Sequence, residues 1–304
     1  MTMTKKRMLD IRPKEFDTYE GPDIINAIKA AEGRSLASEI IAPAPAIFHD
    51  VSNGELAAAF GADMLLFNMY DVNAPSLYGY PYEGDALLKD IRRNVGRFVG
   101  INLEPVSHEK LMDEKTDVPK GRIGTPENAR KAYEQGAQFI LLTGNPKTGV
   151  TNKEIVASLK GIREKLGDKI VLAAGKMHSA GIGGETARNI INEKDINDFI
   201  SAGADIILIP APGTVPGFSD SYAETLVEAA HKRGVLVMSA IGTSQEGSDS
   251  DTIKAIALSA KRIGVDLHHI GDAGYFGIAV PENIRDYSIV IKGIRHTYRR
   301  IAMK

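Results

Sequence analysis

Gly203-Ala204-Asp205-Ile206-Ile207-Leu208-Ile209 joins a glycine to a short apolar run, and the same pattern recurs along the chain. Gly61-Ala62-Asp63 precedes Met64-Leu65-Leu66-Phe67, and Gly136-Ala137-Gln138 precedes Phe139-Ile140-Leu141-Leu142. A glycine just past a helix adopts the left-handed conformation without steric cost and so ends the helix. The pattern therefore predicts a helix, a glycine stop and a strand.

This unit occurs eight times, at intervals of 28 to 40 residues, with its glycines at Gly33, Gly61, Gly96, Gly136, Gly167, Gly203, Gly234 and Gly264. The apolar runs do not alternate with polar residues, which is typical of strands covered on both faces. Eight such units predict an α/β fold, a closed (βα)8 TIM barrel; an open doubly wound sheet is the alternative. We expect the strands near residues 39–44, 63–68, 98–103, 138–143, 170–174, 205–210, 235–240 and 265–270.

The N-terminal region precedes the first unit. Residues 1–19 are predicted to form a polar arm, and residues 22–31 a helix with proline in its first turn. We expect this helix to close the floor of the barrel. The predicted division is therefore 1–36 for the arm and floor helix and 37–304 for the barrel.

Composition excludes several classes of protein. The 304 residues carry a formal net charge of -2, which provides no general field for nucleic acid or an anionic membrane. The absence of cysteine excludes thiolate nucleophiles, Cys-ligated zinc and disulfides. No apolar stretch reaches 18 residues, and no apolar region follows Lys5-Lys6-Arg7. We expect a cytoplasmic protein without a nucleic-acid or membrane partner.

The predicted strand-to-helix loops are long and the helix-to-strand links short, which indicates that the carboxyl ends of the strands form the working face. The loops after strands seven and eight are rich in Gly, Ser and Thr, and small residues expose backbone N–H groups to a phosphate. Merely flexible loops are the alternative. The predicted substrate- and phosphate-binding residues are Gly242, Thr243, Ser244, Gly271, Asp272 and Gly274, with Asn68 and Asn145 at the ends of strands two and four.

Lys176 and His178 follow strand five and lie on one face of an extended chain. A lysine at this place is a Schiff-base nucleophile, a point charge for a carboxylate or phosphate, or an ordinary surface residue. We predict catalytic roles for both side chains.

Carboxylates near the strand ends supply candidates for a base or a metal site. Glu104 shares a face with Asn102 at the end of strand three, where a general base or an Mg²⁺ ligand would be placed. Asp50 is a second catalytic candidate, and Glu104, Asp50 and Asp71 form the predicted metal set. Only one of His268 and His269 can point inward. We expect Mg²⁺ as the ion and no organic cofactor.

Tyr70, Tyr78, Tyr80 and Tyr82 crowd the loop after strand two. Tyrosines suit a rim that covers a ligand or meets another subunit, and a self-packed loop is the alternative. We expect a homo-oligomer.

Two resemblances add to these predictions. The segment from Pro45-Ala46-Ile47-Phe48-His49-Asp50 to Gly61-Ala62-Asp63 resembles the opening unit of the phosphoenolpyruvate mutase/isocitrate lyase barrels. That resemblance implies Mg²⁺ bound by acidic residues and chemistry next to an enolate. Strand three, however, ends Asn102-Leu103-Glu104-Pro105 and lacks the paired aspartates of that family.

The whole chain also resembles an uncharacterised bacterial barrel family often labelled "haloacid dehalogenase-like hydrolase". Such phosphatases place Asp-x-Asp directly after their first apolar strand. Asp249-Ser250-Asp251 is the sole Asp-x-Asp in this chain, and we predict that it caps a helix. The sequence therefore argues against phosphatase chemistry.

The leading functional prediction is an enzyme that acts on a small anionic, phosphorylated metabolite by proton abstraction and enolate stabilisation, as an aldolase-type lyase or an isomerase. One alternative is a metal-dependent hydrolase that uses His49, Asp50, Glu104, His178 and an inward histidine of strand eight. The other alternative is a non-catalytic sensor of a sugar phosphate.

Overall fold

Eight parallel strands close into one barrel. The structure, a computed structural model, describes residues 6–107, 118–145, 148–179, 189–272 and 276–303. Each strand pairs with the next in chain order, and the last pairs with the first. The strands are β1 (Ser35–Ile41), β2 (Met64–Asn68), β3 (Phe98–Leu103), β4 (Phe139–Leu142), β5 (Val171–Gly175), β6 (Ile206–Pro210), β7 (Leu236–Ile241) and β8 (Leu267–Ile270). The predicted (βα)8 barrel is confirmed, and the open sheet is wrong.

Helices alternate with these strands around the outside of the barrel. Helix α1 (Gly21–Lys29) precedes β1, and the later helices follow the strands in turn. They are α2 (Asn53–Ala59), α3 (Leu87–Val95), α4 (Pro126–Gln135), α5 (Asn152–Leu166), α6 (Glu193–Ser201), α7 (Asp220–Lys232), α8 (Ser250–Arg262) and α9 (Pro281–Ala302), which is interrupted at Gly293. No helix in the described ranges is long and apolar enough to cross a bilayer.

The eight repeated glycines all have positive φ, between 57° and 116°, as the pattern predicts for a chain that leaves a helix and turns toward a strand. Seven of the eight strands begin and end within two residues of the predicted bounds. The exception is β1, which starts at Ser35 instead of 39. Glu39 consequently lies in the interior of the strand rather than at its start.

The N-terminal segment is not a free polar arm, which corrects the prediction for the described part of residues 1–19. Short 3-10 helices span Met8–Asp10 and Pro13–Thr18. The side chains of Met8, Ile11 and Phe16 are fully buried. Phe16 packs edge-on against Phe98 of β3, with 4.7 Å between the ring centres. Together with α1, this segment closes the amino-terminal end of the barrel.

Alternation along the strands separates two apolar cores. Inward residues such as Met64, Leu66 and Phe98 pack with the N-terminal segment and α1. Outward residues such as Leu65 and Phe67 pack against the surrounding helices. The direction of each strand side chain is therefore known from the core to which its neighbours belong.

The residue directly before each even-numbered strand caps the strand that precedes it in the sheet. Its side-chain oxygen accepts a hydrogen bond from a backbone N–H near the start of that strand. The pairs are Asp63 Oδ2 with Leu36 N (2.9 Å), Gln138 Oε1 with Val99 N (3.4 Å), Asp205 Oδ2 with Leu172 N (2.8 Å), and Asp266 Oδ2 with Val237 N (2.8 Å). The Gly-Ala-Asp signature thus has a structural reason, because buried N–H groups need acceptors.

His268 of β8 points outward and His269 points inward, which answers the question left open by the sequence. His268 Nδ1 lies 3.0 Å from Tyr287 Oη of α9, and Nε2 lies 3.1 Å from the Gly33 carbonyl oxygen. Burial lowers the pKa of His268 to about 3. His268 is therefore a neutral residue of the outer core.

Acidification is expected to destabilise the fold through His268. An unfolded histidine gains a proton near pH 6.5, whereas buried His268 stays neutral until about pH 3, so stability is present above pH 6.5 and is lost as the pH falls. Between pH 7 and pH 5 this histidine should cost about 2 kcal/mol of unfolding free energy. Urea unfolding at both pH values measures it. His268→Gln should reduce the pH dependence, and His49→Gln, at a side chain 96% exposed, should not; equal slopes in both variants would contradict the assignment.

Candidate functional site

Three asparagines form a hydrogen-bonded group at the carboxyl end of the barrel. Asn68 ends β2, Asn102 lies on β3, and Asn145 follows β4. Asn102 Nδ2 donates to Asn68 Oδ1 at 3.1 Å, and Asn145 Nδ2 donates to the same oxygen at 3.0 Å. Asn68 and Asn102 are 5% and 2% exposed, so this group is enclosed within the barrel mouth.

Glu104, predicted as the best carboxylate, joins this group. Its Oε1 accepts from Asn145 Nδ2 at 2.9 Å and pairs with Arg122 Nη2. The backbone fixes that pair, because Glu104 N donates to the Arg122 carbonyl oxygen and Gly124 N donates to the Glu104 carbonyl oxygen, both at 2.8 Å. Oε2 is buried and has no hydrogen-bond partner in the described part of the chain. Glu104 therefore has one oxygen held by the protein and one available to a ligand.

Glu39 and His269 form a second buried pair that the sequence reasoning did not single out as a pair. His269 Nε2 lies 2.9 Å from Glu39 Oε2, and the two side chains are 0% and 6% exposed. Glu39 Oε1 accepts from Asn68 Nδ2 at 2.6 Å. A carboxylate inside the apolar run Leu36–Ala42 was the sequence signal that could have found it, because buried charges need partners.

Lys176 and His178 lie at the exit of β5. Lys176 is 1% exposed, so the ordinary surface lysine among the predicted alternatives is wrong. Burial lowers the pKa of His178, the Glu39 carboxylate raises it and the Lys176 ammonium lowers it, with a net decrease. His178 thus interacts electrostatically with Glu39 and Lys176, and the net effect favours its neutral form.

The opposite side of the barrel mouth carries small inward residues. Alternation along β6, β7 and β8 places Pro210, Ala240 and Gly271 at the inward positions near the strand ends. A side chain at Gly242 would meet Met177 Sδ at 2.9 Å, so the exits of β5 and β7 approach closely there. The polar groups from β1, β2, β3 and β8 thus face a half of the mouth lined by small or apolar residues.

The loop after β7 is a strained reverse turn. Gln245 N donates to the Gly242 carbonyl oxygen at 3.4 Å, and the central residues Thr243 and Ser244 have φ of 59° and 76°. Met69, directly after β2, has φ of 59° as well. Positive φ in non-glycine residues is costly and concentrates at functional sites, which supports this face as the working end.

The predicted phosphate site on the last two loops meets an opposing charge. Glu246 is 6% exposed, and its carboxyl carbon would lie 3.6 Å from a methyl group on Gly271. Asp272 adds a second carboxylate to the same loop, and Gly274 lies outside the described residues. Phosphate binding by these loops stays a prediction, and Lys176 and Arg122 are buried cations that follow β5 and β3.

Asp50, Asp71 and Glu104 do not converge as a metal site among the described residues, which corrects the predicted metal set. Asp50 and His49 are 71% and 96% exposed, because the loop after β1 carries them outward. Asp71 Oδ1 accepts from Asn73 N at 2.8 Å in a local turn. Within the described ranges no three His, Asp or Glu side chains converge as a metal site. The described residues therefore assemble neither the predicted metal set nor the ligand set of the hydrolase alternative.

The tyrosines after β2 divide into two kinds. Tyr70 and Tyr80 are buried, whereas Tyr78 and Tyr82 are 55% and 60% exposed. The predicted self-packed loop describes the two buried tyrosines, and the predicted open rim describes the two exposed ones.

A family model described as a domain of unknown function, DUF7916, matches residues 9–304. The chain belongs to the DUF7916 family. No curated protein sequence matches this DUF7916 chain. Nothing in these comparisons supports the haloacid dehalogenase-like label, and Asp249 caps α8 as predicted by accepting from Asp251 N and Thr252 N.

Solved structures share the fold of this DUF7916 protein at low identity. One is a putative fructose-1,6-biphosphate aldolase from Coccidioides immitis, with a TM-score of 0.51 and 11% identity over 93% of this chain and 97% of that chain. Another is 2,3-dimethylmalate lyase, a PEP mutase/isocitrate lyase superfamily member, with a TM-score of 0.51 and 12% identity over 84% and 81% of the two chains. At such identities the likeness establishes the barrel alone.

Proposed function

We propose that this protein is an enzyme that removes a proton next to a carbonyl group of a small anionic metabolite, as an aldolase-type lyase or an isomerase. The observation that carries the proposal is Glu104 Oε2, a buried carboxylate oxygen without a partner in the described chain, inside the mouth of a barrel. Active sites of this fold lie at this end, and a free, fixed carboxylate oxygen is the group that a general base requires.

The groups near Glu104 suit stabilisation of the enolate that proton removal produces. When the C–H proton passes to Glu104 Oε2, the electron pair of that bond forms a carbon–carbon double bond, and the π pair of the carbonyl group moves to its oxygen, which gives an enolate. Lys176 provides a buried positive charge, and neutral His178 provides a ring N–H, for stabilising that oxyanion. Arg122 and Asn145 hold the other oxygen of Glu104 and so orient the base.

The 2,3-dimethylmalate lyase and the aldolase named above lend the proposal the support of analogy only. The proposed step is argued from protein side chains alone, and the described residues bring no three His, Asp or Glu side chains together as a metal site. The proposed anion is a phosphorylated metabolite or a carboxylate, and the screen below distinguishes the two.

A thermal-shift screen of sugar phosphates, sugar acids and keto acids, followed by NMR in D₂O, tests the proposal. A ligand that binds only the folded protein raises its melting temperature. We expect an anion to raise it and to exchange the proton beside its carbonyl group for deuterium. Lys176→Met should abolish the shift, whereas Lys232→Met, at a side chain 77% exposed, should retain it. Stabilisation by uncharged compounds alone would overturn the anion site, and binding without exchange or turnover would favour the sensor.

A further inference from the structure

We propose that the ligand of this site is a polyhydroxylated anion, a sugar acid or a sugar phosphate, whose hydroxyl groups bind Asn102 and Glu104. The location of the site rests on the function proposed above. The identity of the ligand rests on a separate observation, the hydrogen-bonding capacity that the site leaves unused.

Two acceptor atoms in the site lack donors. Asn102 Oδ1 and Glu104 Oε2 are buried and have no hydrogen-bond partner in the described residues. Their side chains are 2% and 1% exposed and belong to the network that joins Asn68 and Asn145. A buried acceptor without a donor costs its full desolvation penalty. The ligand is therefore expected to bring donors to both atoms. A carboxylate oxygen has two acceptor sites, so Glu104 Oε2 can accept from a hydroxyl group and still face the C–H proton.

The need for hydrogen-bond donors at Asn102 Oδ1 and Glu104 Oε2 distinguishes between classes of metabolite. Carboxylate, phosphate and keto groups only accept hydrogen bonds, so a ligand built from these alone would leave both atoms unpaired. Hydroxyl groups donate to them. A hydroxyl group also accepts, and Arg122 Nε is a buried donor without a partner in the described chain. An ammonium group would donate as well; the positive charges of Lys176 and Arg122 oppose it and the carboxylates of Glu39 and Glu104 favour it, so the test includes a cationic probe.

His269, on β8, also has unused hydrogen-bonding capacity. Neither ring nitrogen makes a hydrogen bond of good geometry within the described chain, although Nε2 lies 2.9 Å from Glu39 Oε2. A hydroxyl group can pair with either form of a ring nitrogen, because it both donates and accepts. Several hydroxyl groups on one carbon chain would satisfy Asn102, Glu104 and His269 together.

Calorimetric titration with matched pairs of probes tests the inference. The pairs are D-gluconate with hexanoate and D-ribose 5-phosphate with butyl phosphate, and 1,5-diaminopentane is the cationic probe. In at least one pair the hydroxylated member should bind about 10-fold tighter or more, as expected for hydrogen bonds to charged groups. The pair that shows the difference distinguishes a sugar acid from a sugar phosphate.

Glu104→Gln is the most direct test by substitution, because glutamine has the same shape as glutamate. Arg122 and Asn145 both donate to Oε1, so the glutamine oxygen is held there and its NH₂ replaces Oε2. An acceptor thus becomes a donor, and the preference for the hydroxylated probe should be lost. Glu134→Gln, at a carboxylate 55% exposed on α4, is the matched control and should keep it.

The outcomes separate this inference from the proposed reaction. Equal affinity within both pairs, tighter binding of the diamine, or no binding by any probe would overturn the polyhydroxylated ligand. Preference for hydroxylated probes without proton exchange would leave the ligand class standing while the reaction fails. Proton exchange into a keto acid without hydroxyl groups would support the proposed reaction and contradict the polyhydroxylated ligand.

Discussion

Asp63→Asn is expected to lower the free energy of unfolding by about 3–5 kcal/mol, because it leaves two buried cations without their anion. Asp63 Oδ2 accepts from Lys292 Nζ at 2.5 Å, and Oδ1 accepts from Arg300 Nε at 2.8 Å. Lys292 and Arg300 are 0% and 2% exposed at their side chains. These two contacts connect α9 to the residue just before β2.

A matched substitution isolates that effect. Asp266→Asn changes the equivalent cap before β8, where the side chain is 17% exposed and pairs with His231 at the surface. It should cost about 1 kcal/mol in the same urea titration. If Asp63→Asn does not fold, adding Lys292→Met should restore part of the stability by removing one unpaired cation. Similar costs for the two aspartates would contradict the buried-charge argument.

The same carboxylate gives a dependence on pH. Burial raises the pKa of Asp63, but Lys292 and Arg300 hold it below its ordinary value overall. The stabilisation is therefore present above the ordinary range of aspartate and is lost as the pH falls through the lowered pKa.

Glu104→Gln is expected to reduce the rate of proton exchange into the bound anion by about 100-fold or more, since a general base contributes on the order of 10²–10⁴. The amide keeps the shape of the side chain and the acceptor for Asn145 and Arg122. It also removes the anion beside the buried Arg122, so urea unfolding of the variant is measured alongside to show that it is folded. NMR exchange rates at saturating ligand measure the effect. Glu134→Gln is the control, and a rate within a few-fold of the unchanged protein would assign the base elsewhere.

The fold could be predicted because its signals are local. A positive-φ glycine and a non-alternating apolar run are each visible within a few residues, and they recur eight times. The N-terminal segment was mistaken for a polar arm because its apolar residues, such as Met8, Ile11 and Phe16, are scattered among charges. Only contact with the barrel floor reveals that these side chains are buried.

The site was partly predictable for a related reason. Residues at strand ends, such as Asn68, Glu104 and Lys176, meet because parallel strands present their carboxyl ends at one face. Arg122 was missed because it lies 18 residues after Glu104 in the chain and not at the end of a strand. Asp50 was placed wrongly because β1 ends at Ile41, three residues before the predicted end, and the loop from there leads outward.

The caps before the even-numbered strands have a consequence for the repeating unit of the barrel. Each one serves the strand just before it, so a cap and the strand that it serves lie within one stretch of two strands and two helices. Four such quarters make the ring. Aspartate fills three of the four capping positions and Gln138 fills the fourth, so the unit that repeats in this respect is two strands with their helices rather than one strand with one helix.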